Sequence, residues 1–127
     1  MSEKPEWFTR FERSMEGNVS AGHEFLAEAD PGYMQSLLGF VGQTLGREDN
    51  VLAERQRELI VIAIQASQAG WGPVRRHIRR ALSLGDPTPR MILEALEVAA
   101  TTSGIATLFE AAEILAEELE AAGVAFA

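Results

Sequence analysis

Seven of the eight residues from Leu59 to Ala66 are apolar, Gln65 being the exception. At about 100° per residue they cover nearly the whole circumference of a helix. A helix apolar all round has to be buried by neighbours on every side, so this run sets the centre of the fold. Glu58 stands one residue before it and shares a helical face with Ile62 and Gln65. A carboxylate drawn into a core in this way needs a partner or takes up a proton.

The chain then breaks at Gly70-Trp71-Gly72-Pro73. Trp71 in that break either roofs a pocket or covers the apex of a hairpin. Pro73 suits the first turn of a second helix, where a missing N–H costs nothing; this helix is expected to run to Leu84. On its wheel His77 shares an arc with Val74, Ile78, Ala81, Leu82 and Leu84, while Arg75, Arg76, Arg79 and Arg80 fill the opposite arc. Folding the hairpin brings His77 towards Glu58. A carboxylate fixes the tautomer of a neighbouring imidazole, and the imidazole exchanges protons near neutral pH. The same pair serves equally as a buried hydrogen bond between helices. The arginine arc reads as a solvated face paired with acidic neighbours, as an attraction for an anion approaching His77, or as an inter-subunit contact.

The remaining pattern is helical throughout. Glu6 to Met15 carries an apolar stripe of Trp7, Phe8, Phe11 and Met15, and Gly17 to Ser20 ends it. Ala21 to Ala29 is a second short helix, with His23 read as a surface residue. Asp30-Pro31-Gly32 is a turn, or the cap and first turn of a helix over Tyr33 to Leu45. Gly39 and Gly42 within it suit close helix contact, a small cavity or plain core packing. After Gly85-Asp86-Pro87, Thr88 and Pro89 start a helix whose buried side is Ile92, Leu93, Leu96, Val98 and Ala99. Thr101, Thr102 and Ser103 precede Gly104 and either face a site or bond the helix end. Leu108 to Ala121 is the last helix. Its expected wet side is Glu110, Glu113, Glu117, Glu118 and Glu120, and its dry side Leu108, Phe109, Ala112, Leu115 and Leu119. Val124 to Ala127 is a tail, loose or docked on a partner.

The fold class that follows is all-α: one domain over residues 1–127, of six to seven helices around the central hairpin. A length of 127 residues suits a single core. The absence of cysteine removes disulfides, thiolate metal sites and thiol peroxidase chemistry together. Acidic residues number 19 against 11 basic, for a net charge of −8, which argues against nucleic-acid partners. The longest wholly apolar run, Leu59 to Ile64, is too short to cross a bilayer, and the N-terminus has no signal-peptide pattern. A cytoplasmic location without a membrane partner is expected. No nucleotide-binding, zinc-protease or serine-hydrolase motif occurs, and His23 and His77 make a poor metal set; no cofactor or metal is implied.

The string RELIVIAI, a short break, then His77-x-x-x-Ala81-Leu82-x-x-Gly85 and Pro89-x-x-Ile92-Leu93-Glu94-Ala95-Leu96 resembles the carboxymuconolactone decarboxylase / alkylhydroperoxidase D superfamily. The resemblance covers roughly Leu52 to Leu119 and places a family-like core at 51–122 behind N-terminal helices at 1–50. Glu58 precedes Gly70 by twelve positions and His77 by nineteen. In the alkylhydroperoxidase D branch those intervals join a glutamate to a Cys-x-x-Cys pair and a histidine. Here the cysteine positions hold Gly70 and Pro73, and a second histidine position holds Gly72. The decarboxylase branch keeps the histidine without cysteines, usually with an acidic residue shortly before it, where this chain has Pro73. The family's frequent Gly-x-Pro bend is Gly104-Ile105-Ala106.

The resemblance implies a cofactor-free lyase or isomerase acting on a small carboxylated lactone or related cyclic anion. Glu58 and His77 are the expected catalytic pair, and Trp71, Arg76 and Arg80 the expected substrate-binding residues. It also implies a homo-oligomer, trimer or hexamer, with sites near subunit boundaries. The alternative is a non-catalytic helical oligomer used for binding or assembly.

Overall fold

The computed structural model describes residues 3–127, and its regular structure among them is α-helix alone. Seven helices follow in order: α1 (Glu6–Ser14), α2 (Ala21–Ala29), α3 (Pro31–Leu45), α4 (Glu54–Ser67), α5 (Trp71–Leu84), α6 (Pro89–Ser103) and α7 (Ile105–Ala122). The chain divides into two compact units, Met1–Val51 and Leu52–Ala127.

Side-chain caps fix three of the helix starts. Asp30 Oδ1 accepts from the Tyr33 N–H at 3.2 Å, and Pro31 takes the first position of α3. Thr88 Oγ1 accepts from the Met91 N–H at 3.3 Å, with Pro89 next. The α2 cap corrects one expectation. His23 is not a plain surface residue: its Nδ1 accepts from the Ser20 N–H at 2.9 Å, while Ser20 Oγ accepts from the His23 N–H at 3.3 Å. A histidine thus takes the place of the usual glutamate in a reciprocal cap.

In the first unit α2 packs on α3. The buried cluster is small: Phe8, Ala27 and Met34, with Trp7, Phe11, Val19, Leu26 and Leu38 partly buried around it. Phe8 meets Trp7 and Phe11 edge-on, at ring separations of 6.0 and 5.9 Å. In α3 Met34, Leu37, Leu38, Val41 and Leu45 stand at helical spacing, but only Met34 is buried; Leu37 and Val41 are exposed, and Phe40 is 72% exposed. Nothing stands within 4 Å of where a β-carbon would project from Gly39 or Gly42, so neither glycine marks a close helix contact.

The second unit is a four-helix packing in which α4 meets α5, α6 and α7, and α7 also meets α5 and α6. Its core is Ile62, Ala66, Val74, Ile78, Ala81, Ile92, Leu96, Ala111, Ile114 and Leu115. The expectation that α4 is buried all round fails on one side, where Ile60 and Ile64 are exposed. The buried side of α6 excludes Val98, which is exposed. The dry side of α7 is rotated from the expected one: Ala111, Ile114, Leu115 and Glu118 are buried, and Phe109 is exposed. At the α6 end, Thr101 Oγ1 donates to the Val98 carbonyl and Ser103 Oγ to the Ala99 carbonyl, at 2.7 and 2.9 Å. These hydroxyls therefore bond the helix end. In the tail, Arg90 lies over the Phe126 ring, 5.9 Å from its centroid.

The α4–α5 corner is short. Ala69 takes a left-handed conformation (φ 57°). Its N–H reaches the Ala66 carbonyl at 3.0 Å, and the Gly70 N–H reaches the Gln65 carbonyl at 2.8 Å. This paired closure satisfies the last carbonyls of α4. Gly70 then caps α5, which starts at Trp71, two residues before the expected Pro73.

Candidate functional site

Glu58 comes from the second turn of α4 and His77 from the middle of α5. His77 lies at the edge of the α5 face that buries Val74, Ile78 and Ala81. The corner folds this face onto α4, and His77 Nδ1 meets Glu58 Oε1 at 2.7 Å. The two side chains are 18% and 10% exposed. His77 Nε2 has no hydrogen-bond partner among the described residues. With an ionised Glu58 accepting a hydrogen bond from Nδ1–H, a neutral His77 carries its lone pair on Nε2.

Glu58 has a second partner. Arg80, three residues after His77, brings Nη1 to Glu58 Oε2 at 3.2 Å and Nη2 to Glu54 Oε1 at 3.1 Å. A cavity of about 250 Å³ lies beside these groups, lined by Glu54, Arg55, Glu58, Arg80, Leu84 and Asp86. Arg55 meets Asp86 across it at 2.9 Å. The lining thus holds three carboxylates against two guanidinium groups, both of them paired, and does not include His77.

The other arginines separate by partner. Arg75 reaches Glu117 at 2.7 Å and Glu118 at 2.9 Å, and Arg79 reaches Glu118 at 2.5 Å. The hydrogen bond from Arg79, aided by Arg75, holds the Glu118 carboxyl below its ordinary pKa. The carboxylates in turn raise the pKa values of Arg75 and Arg79. Arg76 differs: among the described residues it has no carboxylate partner, and burial alone lowers its pKa. Its Nη1 lies 3.4 Å from where a β-carbon on Gly72 would stand. Trp71 packs against the core of the second unit.

Of the sequence-predicted site residues, Glu58, His77 and Arg80 are therefore brought together, while Arg76 and Trp71 stand earlier in α5. Glu54, Arg55 and Asp86 were not anticipated. Glu54 had one sequence signal: it precedes Glu58 by four residues, on the same helical face. Among the described residues, no group of three or more His, Cys, Asp or Glu side chains is placed to hold a metal ion. No helix among them is long and apolar enough to cross a membrane.

A family model described as "Carboxymuconolactone decarboxylase family" matches residues 31–117, more than half of the chain and both Glu58 and His77. No curated protein matches the chain.

Proposed function

Because the chain belongs to the carboxymuconolactone decarboxylase family, we propose that it is a cofactor-free acid–base lyase or isomerase acting on a small carboxylated lactone or related cyclic anion. One observation carries the reading: the 2.7 Å contact between His77 Nδ1 and Glu58 Oε1, with Nε2 unpartnered among the described residues. In the isomerase form, Nε2 takes a proton from one ring carbon and returns it to another. In the decarboxylase form, the C–C bond to the carboxylate breaks and carbon dioxide leaves. The electron pair passes into the conjugated ring as an enolate, and Nε2, protonated beforehand from water, delivers that proton to carbon. Glu58 accepts the Nδ1 proton in either form and stabilises the imidazolium. Arg76 and Trp71 hold the substrate, Arg76 being the α5 arginine that the described carboxylates leave unpaired. Thiol peroxidase chemistry has no nucleophile here, since the chain has no cysteine.

Turnover of carboxylated muconolactone-type compounds, followed by carbon dioxide release and by the change in ring absorbance, tests the reading. Wild-type activity is expected, with its complete loss in His77→Ala at unchanged helical circular dichroism. Activity that survives this substitution overturns the assignment of His77.

We also propose that the chain assembles with copies of itself as a trimer or hexamer. Ile60 and Ile64 of α4 and Ile105 and Phe109 of α7 support this, since all four are exposed. The same surfaces favour the second reading, a non-catalytic oligomer. That reading stands if Glu58→Gln and His77→Gln leave assembly intact in light scattering and no lactone is turned over by the wild type.

A further inference from the structure

Glu58 is held at two points from one helix, and the two holds have different consequences. Oε1 faces His77 Nδ1 at 2.7 Å, and Oε2 faces Arg80 Nη1 at 3.2 Å. The terminal torsion of a glutamate is soft, so a carboxylate bonded through one oxygen can swing and offer its partner either oxygen or neither. A second bond on the other oxygen fixes the plane. Arg80 is itself fixed, because Nη2 bonds Glu54 while Nη1 bonds Glu58, and its side chain is only 16% exposed. The planar guanidinium suits this geometry, since its donors are set at a constant angle to one another. The cavity beside Glu58 gives the arrangement its importance. With the guanidinium removed, water reaches Oε2 from that side and competes for the carboxylate.

We propose that Arg80 is a positioning residue that acts on His77 through Glu58: it clamps Oε2 so that Oε1 stays aligned with Nδ1 and the neutral imidazole keeps its lone pair on Nε2. This assigns Arg80 a different task from the substrate contact its place among the arginines suggests. Its Nη1 and Nη2 face carboxylates of its own chain, and the cavity it lines is rich in acid. The inference rests on the acid–base reading of Glu58 and His77.

The decisive measurement is ¹⁵N NMR of the His77 ring at a pH where it is neutral, in the full chain. His23 and His77 are the two histidines, so His23→Gln assigns the signals. The wild type is expected to show a protonated Nδ1 and an unprotonated Nε2. Arg80→Met and Arg80→Gln are expected to move both nitrogens towards averaged values, reporting a mixture of tautomers, with the helical signal retained. Glu54→Gln, which leaves the Nη1 hold in place, is expected to keep the wild-type pattern. Two Arg80 substitutions are used so that either one that folds decides the matter. An unchanged Nδ1–H pattern in a folded Arg80 variant overturns the proposal, as does a wild-type ring protonated on Nε2.

Kinetics separate this inference from the reading it rests on. A positioning role lowers kcat in Arg80→Gln, by up to about a hundred-fold, with KM little changed. A substrate contact instead raises KM, and that outcome counts against the proposal. If the wild type turns over no lactone but the tautomer results are as expected, the lyase reading fails and the clamp stands. If turnover depends on His77 while the Arg80 variants keep the wild-type tautomer, the clamp fails and the lyase reading stands.

Discussion

Glu58 and Glu118 are the buried carboxylates of the second unit, and each lies between helices against two partners, His77 and Arg80 for the first and Arg75 and Arg79 for the second. Their partners give them different characters. Glu118 meets only guanidinium groups, from Arg75 and Arg79, and its side chain is 5% exposed. Its folded pKa is lowered from the ordinary 4.5. A depressed carboxyl contributes stability that is present above the unfolded value and is lost as pH falls through the folded one. Glu118→Gln is therefore expected to lower stability at pH 7 by about 2 kcal/mol. That is less than the ~3–5 kcal/mol for breaking a fully buried pair, because both guanidinium groups keep contact with water. Urea melts check this, and the gap between variant and wild type is expected to shrink as pH falls below 4.5. Sequence spacing anticipated the approach of Glu58 and His77, because a short corner between two helices leaves few ways to join those faces. It did not assign the arginines. All four share one arc of α5, and which carboxylates meet them depends on α4 and α7, whose rotations a helical wheel does not give. Glu118 was placed on the wet side for that reason: the true dry arc of α7 runs through Ala111, Ile114 and Leu115.

Among the elements, the α4–α5 corner is the most constrained. Its left-handed position is held by Ala69 rather than glycine, and an L-residue pays about 1–2 kcal/mol there. Ala69→Gly removes this cost while glycine's greater freedom in the unfolded chain offsets part of it. A net gain of about 0.5–1 kcal/mol is expected, read as a higher midpoint in thermal melts. An unchanged or lower midpoint shows that the corner stores no strain. Helix identities were legible because caps and periodicity agree, as at Asp30 and Thr88. The ends of α5 and α7 were less so. Trp71 and Ile105 lie next to glycines that look like breaks, but Gly70 and Gly104 serve as N-caps and the following residues are already helical. Trp71 thereby lies in the first turn of α5, partly buried against the core, and not in a loop.

At the scale of the whole molecule, the two units differ in the core each possesses. Residues 52–127 contain the larger buried cluster together with the Glu58–His77–Arg80 arrangement. Among the described residues of the first unit, only Phe8, Ala27 and Met34 are buried. Small units with little buried apolar surface seldom fold alone. A fragment spanning 52–127 is expected to melt cooperatively with strong helical circular dichroism, and a fragment spanning 1–51 to be largely unfolded by itself. Independent folding of the shorter fragment would mean that its partly buried aromatic residues contribute more than their burial suggests. The all-α class was legible from the absence of any alternating pattern. The incomplete burial of α3 and α4 was not, because apolar periodicity marks a face that avoids water without saying what covers it.

The α4–α5 hairpin also makes chain length a geometric quantity. Each residue added to or removed from the helical stretch between Glu58 and Ser67, or between Trp71 and His77, turns the site side chain at the end of that stretch about the helix axis by about 100° and shifts it by about 1.5 Å. The imidazole and the carboxylate meet only at one phase of that rotation, and Arg80, three residues further along the same helix, is in step with them. The nineteen-residue interval from Glu58 to His77 thus works as a ruler. One residue more within either helical stretch would keep every side chain of the trio yet point them at different neighbours.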